Sequence, residues 1–281
     1  MDIIQLLKVI VLGIVEGLTE WLPISSTTHI KLVDDIIKFN ATESFKEVFI
    51  VFIQLGPMLA VAITYFQKLN PFDPAKNSPK KKASFVLWLK IIIAALPAAI
   101  LGVLLDDWID AHFSSTLINS LMLIIYGLIF IVYENINRNK QPEITKTGQI
   151  GYQTALYIGM CQVLALIPGT SRSGVTILGA MMLGCSRSIS VEFSFLIGIP
   201  ILFGAGVLKL LKYALSIQFH FDLLEIVYLL TGCLVSFIVA AYTISYFLNW
   251  IKKHNFKPFG YYRIALGIVT LIWFGLRALV K

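Results

Sequence analysis

The sequence predicts an all-α polytopic integral membrane protein that is built from two inverted-topology repeats, and three observations lead to this fold class. Hydrophobic residues fill 57% of the 281 positions, charged residues fill 14%, and the mean hydropathy is +0.81. Soluble domains carry about 25% charged residues. Six apolar stretches approach the ~20 residues that a helix needs to cross a bilayer: 48–66, 85–105, 117–133, 191–211, 226–248 and 261–279. Two further apolar segments, 3–22 and 152–183, are interrupted by polar residues and proline.

The same composition excludes several other classes of protein. The first apolar segment carries Glu16 and Glu20 and has no small-residue cleavage site, so it is not a cleaved signal peptide. The three cysteines have no CxxC spacing and fit neither a disulfide framework nor a zinc site. The net charge of +7 resides in loops between spans, where it indicates the cytoplasmic side of a membrane rather than nucleic-acid binding.

An internal repeat organises the chain. The stretch GIVEGLTEWLPISSTTH at 13–29 matches GMCQVLALIPGTSRSG at 159–174, and FIQLGP at 52–57 matches FLIGIP at 195–200. Both copies of the first motif have Gly, then Glu or Gln three residues later, an apolar run, a proline and a cluster of hydroxyls. A single transmembrane domain over 1–281 is therefore predicted, with repeat 1 at about 1–140 and repeat 2 at about 148–281.

The topology follows from counting spans and loop charges. Each half holds one interrupted segment and three full spans, so it crosses the membrane an odd number of times if the interrupted segment is re-entrant. An odd number inverts the second half relative to the first. Lysine or arginine is frequent in the loops 67–84, 134–150 and 249–260. The loop 106–116 holds three aspartates and neither lysine nor arginine. The basic loops are therefore predicted to be cytoplasmic and both termini to be outside, with Lys209 and Lys212 as exceptions to the charge rule.

Two proline breaks define the predicted re-entrant hairpins. Pro23 and Pro168 each remove a helical N–H and disfavour helix at the preceding residue. The pairs 25–26 and 170–171 follow, and they consist of Ser and Thr, which cap new helices well. Broken backbone at membrane depth is tolerated only where it is buried in protein or lines a watery cavity. The start of a new helix in such a cavity attracts an anion.

Glu16 and Glu20 are the candidate catalytic and metal-binding carboxylates. Their i, i+4 spacing puts them on one helical face, and carboxylates within a membrane segment usually indicate function. Two close carboxylates repel each other, and a hard divalent cation such as Mg²⁺ or Ca²⁺ between them removes the repulsion. The alternative is that both pair with a lysine or lie at an interfacial helix end.

Arg172 is the candidate phosphate-binding residue. It lies in PGTSRSG, within the second interrupted segment, and its planar guanidinium matches phosphate oxygens in a bidentate manner. Gly169 and Gly174 on either side let the backbone approach a ligand closely. The alternative is that Arg172 neutralises Glu16 or Glu20 across the repeat interface, and the two roles are compatible.

Ser26 and His29 are the candidate nucleophile or general base, and both lie on the helix that restarts after the first break. A lone histidine beside a membrane segment is also common as an interfacial residue, so this alternative stays open. Ser25 and Thr170 have the alternative role of helix caps, and Gln162 that of filling a buried polar position. The remaining candidates are predicted to bind substrate: Ser25, Thr27, Gln162, Gly169, Thr170, Ser171 and Ser173.

The motifs EGLTEWLPISSTTH and LALIPGTSRSG closely resemble the two signatures of the bacterial undecaprenyl pyrophosphate phosphatase family, also called bacitracin-resistance proteins. The resemblance implies a multi-pass plasma-membrane hydrolase that converts undecaprenyl pyrophosphate to the monophosphate and inorganic phosphate, recycling the carrier lipid for cell-wall synthesis. It also implies a divalent metal and an active site that opens to the outer face. By position, Glu16 and Glu20 match the acidic pair, Ser26 and His29 the nucleophile or base, and Arg172 the phosphate-binding arginine.

One residue departs from the family pattern. Thr28 stands where the family usually has Gly or Ala, and a β-branched residue at this position bears on the tilt of the neighbouring His29. A lipid-phosphate transporter or flippase is the competing function, since inverted repeats and broken helices also build transporters. A purely structural scaffold is excluded because polar residues in apolar segments are costly. The expected partners are the polyprenyl lipid and the bilayer, with no nucleic acid, and the sequence leaves a homodimer open.

Overall fold

The computed structural model describes residues 3–220 and 222–280, and the side chains of all of these except 106, 107, 110 and 276–280. The helices follow in chain order: α1 Ile3–Thr19, α2 Ser26–Ile37, α3 Glu43–Ile53, α4 Leu55–Thr64, α5 Phe66–Leu69, α6 Ser78–Phe113, α7 Thr116–Ile136, α8 Tyr152–Val163, α9 Arg172–Met182, α10 Arg187–Ser216, α11 Leu223–Ile251 and α12 Lys257–Val280. Within the described part of the chain, β-structure is limited to a single bridge between Ile144 and Cys185.

Five helical segments are long and apolar enough to cross a membrane: Glu43–Thr64, Ser78–Leu105, Thr116–Ile136, Arg187–Ser216 and Leu223–Ile251. They correspond to five of the six predicted stretches, and the sixth, 261–279, lies within α12. Because the spanning segments are helical, each satisfies its backbone hydrogen bonds internally, as the bilayer requires. The prediction of an all-α polytopic membrane protein is confirmed.

The two interrupted segments fold as helical hairpins. Helix α1 packs against α2, and α8 packs against α9. Each second helix begins after a serine with left-handed backbone, at Ser25 (φ 70°) and at Ser171 (φ 70°). This conformation is strained for a residue other than glycine, and such strain is concentrated at functional sites. The two copies of the motif therefore adopt the same unusual break, whereas the inverted orientation of the halves stays a prediction.

One sequence expectation about the spans is corrected, and one predicted span contains a local break. The segment 106–116 was expected to be a loop, but α6 continues to Phe113; the side chains of its three aspartates lie outside the described residues. The stretch 48–66 lies almost wholly in the single span Glu43–Thr64, whose helix is interrupted at Gln54, between α3 and α4. Pro57 cannot donate to the carbonyl of Ile53, and the Ser236 hydroxyl donates to that carbonyl at 2.7 Å instead.

Helix α10 lies at the centre of the bundle. It packs against α3, α4, α6 and α9, and most side chains in its first half are buried. Around it, α1 packs on α11 and α7 packs on α12. This arrangement brings both hairpin breaks against the middle of α10, where Gly198 leaves room for a neighbouring side chain.

Candidate active site

The two hairpin breaks meet inside the bundle. The hydroxyl of Ser173, in the first turn of α9, donates to the carbonyls of Glu20 at 3.2 Å and of Leu22 at 3.0 Å. The beginning of α9 therefore lies directly on the break of the first hairpin. The structure thus brings the candidate residues of the two motifs together, although they are about 150 positions apart in the chain.

The Glu20 carboxylate accepts hydrogen bonds from one side chain of each motif. Arg172 donates from Nη2 to Oε1 of Glu20 at 2.9 Å, and the Ser26 hydroxyl donates to Oε2 at 2.6 Å. Both charged side chains are buried, with 11% of Arg172 and 7% of Glu20 exposed. The neutralising role that the sequence left open for Arg172 is therefore realised with Glu20.

Arg172 is held on two further sides. Its guanidinium lies over the ring of Trp21, 4.7 Å from the ring centroid, in cation–π geometry. Nη1 donates to the carbonyl of Ser194 at 3.2 Å. A Cβ on Gly198 would lie 2.4 Å from Nη1, so the guanidinium fits only because this position has no side chain. The arginine has one well-defined position, which suits it to orient a ligand.

Several buried polar atoms in this region have no hydrogen-bond partner among the described protein atoms. They are both carboxylate oxygens of Glu16, both amide atoms of Gln162, the Thr170 hydroxyl and Nε of Arg172. Glu16 and Gln162 occupy equivalent positions of the two motifs. Burying a polar group without a partner costs about 1–3 kcal/mol, so native proteins tolerate such atoms mainly where they serve a ligand.

A cavity of about 390 Å³, hereafter the polar cavity, extends from this junction. Nine of the twelve candidate residues line it: Glu20, Ser25, Ser26, Thr27, Gln162, Gly169, Ser171, Arg172 and Ser173. Gln54, at the interruption between α3 and α4, and Lys31 line it as well. Glu16, His29 and Thr170 do not border the cavity. Glu16 nevertheless lies close enough to Glu20 and Arg172 to interact with both electrostatically.

A second cavity of about 540 Å³, hereafter the apolar cavity, adjoins the polar one. The two share Ala98, Leu166, Ile201 and Ala205, and small or aliphatic residues of α6 and α10 line most of the second. Lys209 and Lys212, the exceptions to the charge rule, lie on its lining. The polar site is thereby continuous with an apolar space between two spans.

His29 faces a different direction. Its Nδ1 lies 2.8 Å from the carbonyl of Ser25, and its Nε2 lies 2.8 Å from the hydroxyl of Tyr262. A carbonyl only accepts, so Nδ1 carries the proton, and Nε2 of the neutral ring accepts from Tyr262. The two rings are stacked, with planes 1° apart. Both ring nitrogens are therefore engaged by protein groups, and His29 itself does not border the polar cavity.

Sequence reasoning missed Arg263, which bonds to both hairpin breaks. This arginine is fully buried and donates to the carbonyls of Pro23 at 3.1 Å, Gly169 at 2.9 Å and Thr170 at 3.0 Å. These carbonyls lie where the helices are broken and have lost their helical donors. The available signal was an arginine near the start of the apolar stretch 261–279, because an ionisable residue in a span usually has a function.

Asn119 of α7 was also missed. Its side-chain oxygen accepts from the Thr28 hydroxyl at 2.9 Å, and Thr28 in turn bonds Ser25. A Cβ on Gly169 would lie 2.2 Å from the carbonyl oxygen of Asn119, and the left-handed φ of 88° at Gly169 also favours glycine. Thr28, the departure from the family pattern, is thus part of the hydrogen bonds that hold the first break against the second.

The donor set was tested for its fit to a divalent cation. The described residues include no group of three or more His, Cys, Asp or Glu side chains that could hold a metal ion. Glu16 offers two oxygens without hydrogen-bond partners beside the Glu20 carboxylate. Carboxylate oxygens suit Mg²⁺ and Ca²⁺, which take six or more oxygen ligands. The pair fits such a cation if further oxygens come from a bound anion or water.

The fold and the site together define a polytopic membrane protein with a buried carboxylate–arginine centre at the meeting point of two broken helical hairpins. The sequence matches the family described as "Bacitracin resistance protein BacA" over residues 9–269. This match covers most of the chain, so the chain belongs to that family.

Curated relatives cover nearly the whole length of the chain. A protein of Enterococcus faecalis named "Undecaprenyl-diphosphatase" is 51% identical over 267 residues, which are 95% of this chain and 96% of that protein. A protein of Acetivibrio thermocellus with the same name is 49% identical over 96% of this chain and 98% of its own length. "Undecaprenyl-diphosphatase 1" of Clostridioides difficile is 49% identical over 97% of both chains.

Proposed function

We propose that this protein is a membrane-embedded phosphatase that hydrolyses undecaprenyl pyrophosphate to undecaprenyl phosphate and inorganic phosphate. The observation that carries the proposal is the contact of Glu20 with both Arg172 and Ser26 at the edge of the polar cavity. Hydrolysis of this lipid regenerates the carrier lipid for cell-wall synthesis. The same hydrolysis is the basis of the bacitracin resistance that gives the family its name. The names of the curated relatives support the same substrate.

The terminal phosphoryl group is placed in the polar cavity against Arg172. Nε of this arginine lacks a protein partner and offers its hydrogen to a phosphate oxygen. At the start of α2, Ser25 makes no side-chain cap, so the first N–H groups of that helix have no capping side chain and suit an anion. Phosphoryl transfer depends mainly on positioning and charge stabilisation, and these groups provide both.

Ser26 is the better placed of the two candidate nucleophiles. Its hydroxyl donates to the Glu20 carboxylate at 2.6 Å and borders the polar cavity, whereas His29 is engaged elsewhere. In the proposed step, Glu20 accepts the hydroxyl proton, Ser26 Oγ bonds to the terminal phosphorus, and the bridging P–O bond breaks. Glu20 passes the proton to the departing undecaprenyl phosphate and is a carboxylate again. It then accepts a proton from water, whose oxygen bonds to phosphorus as the P–O bond to Ser26 breaks; the proton returns to Ser26 Oγ, and inorganic phosphate leaves.

Glu16 and Glu20 are the residues that would hold a divalent cation, Mg²⁺ or Ca²⁺. When bound, such a cation neutralises charge that develops on the phosphate oxygens. The unpartnered oxygens of Glu16 support this role, since a buried carboxylate without any donor is otherwise costly.

The apolar cavity is the proposed position of the first isoprene units of the tail, because it adjoins the polar cavity between α6 and α10. It is lined by the second half of each of these helices, which lies away from the basic segment 67–84. If the basic segments are cytoplasmic, as their charge indicates, the site opens toward the outer face of the plasma membrane.

The test is phosphate release from farnesyl or undecaprenyl pyrophosphate by the purified protein in detergent, with added Mg²⁺ or Ca²⁺ and with EDTA. Glu20→Ala and Arg172→Ala are expected to lower the rate by about 10²-fold or more. Arg138→Ala, which removes an arginine that does not border the polar cavity, is the control and should keep the wild-type rate. Absence of release from folded wild-type protein with metal and lipid present would refute the phosphatase and favour the lipid-phosphate transporter.

A further inference from the structure

A separate cavity of about 500 Å³ lies between the start of α6 and the turn at 147–148. It shares no lining residue with the polar or the apolar cavity. Five lysines border it, together with apolar residues of the first two turns of α6: Lys68, Lys76, Lys80, Lys82 and Lys90, with Pro79, Ala83, Val86 and Leu87. This cavity is hereafter the basic pocket.

The positive charge of the basic pocket is poorly compensated within the described residues. Lys68 pairs with Glu192, and this is the one ion pair that the five lysines make there. Lys76 donates to the Asn70 carbonyl at 2.7 Å and to the Ser84 hydroxyl at 2.8 Å, both neutral groups. Four lysines around one cavity therefore lack an anionic partner.

Among the lysines of the basic pocket, Lys90 gives the strongest indication of an anionic ligand. Its side chain belongs to a segment apolar enough to span the membrane and is 93% buried, since only 7% is exposed. Nζ donates to the carbonyl of Gly148 at 3.2 Å and lies 5.7 Å from the ring centroid of Tyr152. The stem of Lys90 is buried, and its partly buried ammonium has no counter-charge among the described residues. One of its three hydrogens is engaged by Gly148, which leaves donors for an anion in the pocket.

The start of α6 adds to the positive potential. Its first turn carries Lys80, Lys81 and Lys82 and no acidic residue. Cations at a helix N-terminus are unfavourable, because this end of the helix dipole is itself positive. The positive-inside rule explains an excess of lysines in this loop, but it accounts neither for their arrangement around one cavity nor for the largely buried Lys90.

We propose that the basic pocket binds the phosphate headgroup of an anionic phospholipid, with an acyl chain against the apolar residues of α6. The lysines and the helix start provide the phosphate site, and Ala83, Val86 and Leu87 provide the apolar surface directly below it. Basic pockets between spans at the cytoplasmic interface are suited to such headgroups. The inference is independent of the phosphatase, since the pocket contains none of the proposed catalytic residues.

The experiment measures the unfolding temperature of the purified full chain in neutral detergent, titrated with short-chain phosphatidylglycerol, phosphatidylcholine or inorganic phosphate. Lys80→Gln/Lys82→Gln removes two exposed lysines of the pocket. The matched control is Lys81→Gln/Lys253→Gln, which removes the same charge from lysines that do not border it. A ligand that binds the folded state raises the unfolding temperature in a saturable way.

Phosphatidylglycerol is expected to raise the unfolding temperature of the wild type and the control with the same midpoint concentration. The midpoint of Lys80→Gln/Lys82→Gln should be about 25-fold higher, from roughly fivefold per lysine. Phosphatidylcholine should produce no such rise. Equal midpoints in both double variants, an equal rise with phosphatidylcholine, or a full rise with inorganic phosphate alone would each overturn the lipid site. Since the readout is unfolding, the result is separate from that of the phosphatase test.

Discussion

Replacing Arg263 with methionine tests whether one side chain holds both hairpin breaks. Methionine keeps much of the side-chain volume, removes the charge and leaves the carbonyls of Pro23, Gly169 and Thr170 without their donor. Arg263 is fully buried and makes no ion pair among the described residues, so its interactions are with backbone oxygens. Arg263 itself does not border the polar cavity, so the substitution perturbs the breaks, including Gly169 on the cavity wall, without removing a side chain of that cavity.

The expected loss of stability follows from three well-formed bonds. Hydrogen bonds inside membranes have measured contributions of about 0.6 kcal/mol on average, which gives about 2 kcal/mol for three. Buried carbonyls left without a donor cost about 1–3 kcal/mol each, which gives a larger figure that removal of the buried charge partly offsets. We therefore expect Arg263→Met to lower the free energy of unfolding by about 2–5 kcal/mol.

The catalytic rate provides a second readout. It distinguishes displacement of the hairpin breaks from a general loss of stability, because it is measured where the variant is fully folded. At a temperature where the variant is fully folded, displaced breaks should lower kcat for phosphate release by about tenfold or more, with a smaller change in KM. Arg263→Lys keeps the charge but presents a single nitrogen, so it should recover part of the stability and little of kcat. Arg138→Met serves as the control, since Arg138 is exposed. A wild-type unfolding temperature and kcat in Arg263→Met would refute the argument.

Two further substitutions test single contacts. Gly198→Ala places a methyl 2.4 Å from Nη1 of Arg172 and should lower kcat for phosphate release by about 10–100-fold in a folded protein. The control Gly275→Ala has no atom within 4 Å of the added methyl, borders neither the polar nor the apolar cavity, and should leave kcat unchanged. Equal rates in the two variants would show that the position of Arg172 is unimportant. Tyr262→Phe removes the hydroxyl on Nε2 of His29 and should change kcat by less than about fivefold if His29 is not the attacking group. A 10²-fold loss in Tyr262→Phe would instead assign His29 and Tyr262 a direct part in the reaction.

Much of the fold could be predicted because its signals are local. Long apolar runs identify spans, and proline followed by hydroxyl residues identifies a helix that stops and restarts. One local signal failed, because the aspartates after 105 suggested a loop although α6 continues to Phe113. The helical break at Gln54, inside the span Glu43–Thr64, was not predicted, and it is tolerated because Ser236 of a distant helix donates to the carbonyl of Ile53. A sequence does not reveal which remote hydroxyl makes such a break tolerable.

In the candidate site, too, the features with a local sequence signal could be predicted and those that depend on distant packing could not. The repeat placed Glu20 and Arg172 in equivalent segments, and their contact at 2.9 Å agrees with the expected meeting of the two hairpins. The role of Arg263 was not predicted because its partners are backbone carbonyls. Every residue has a backbone carbonyl, so no sequence motif identifies those that the arginine bonds. The orientation of His29 toward Tyr262 depends on how α12 packs, and that packing cannot be read from the spacing of the histidine in its motif.

The duplicated break also explains why the two motifs have different chemistry. Ser25 and Ser171 share the same φ of 70°, but only the Ser171 side chain accepts from its own helix, from Gly174 N–H. At Ser25 no side chain caps α2, and the hydroxyl bonds Thr28 instead. One hairpin thus has a closed helix start that carries the arginine, and the other has an open helix start whose Ser26 bonds the Glu20 carboxylate from the preceding break. An anion at the open start would lie between N–H groups and Arg172, with Glu20 beside it to accept a proton, and two identical copies of the motif could not provide this combination.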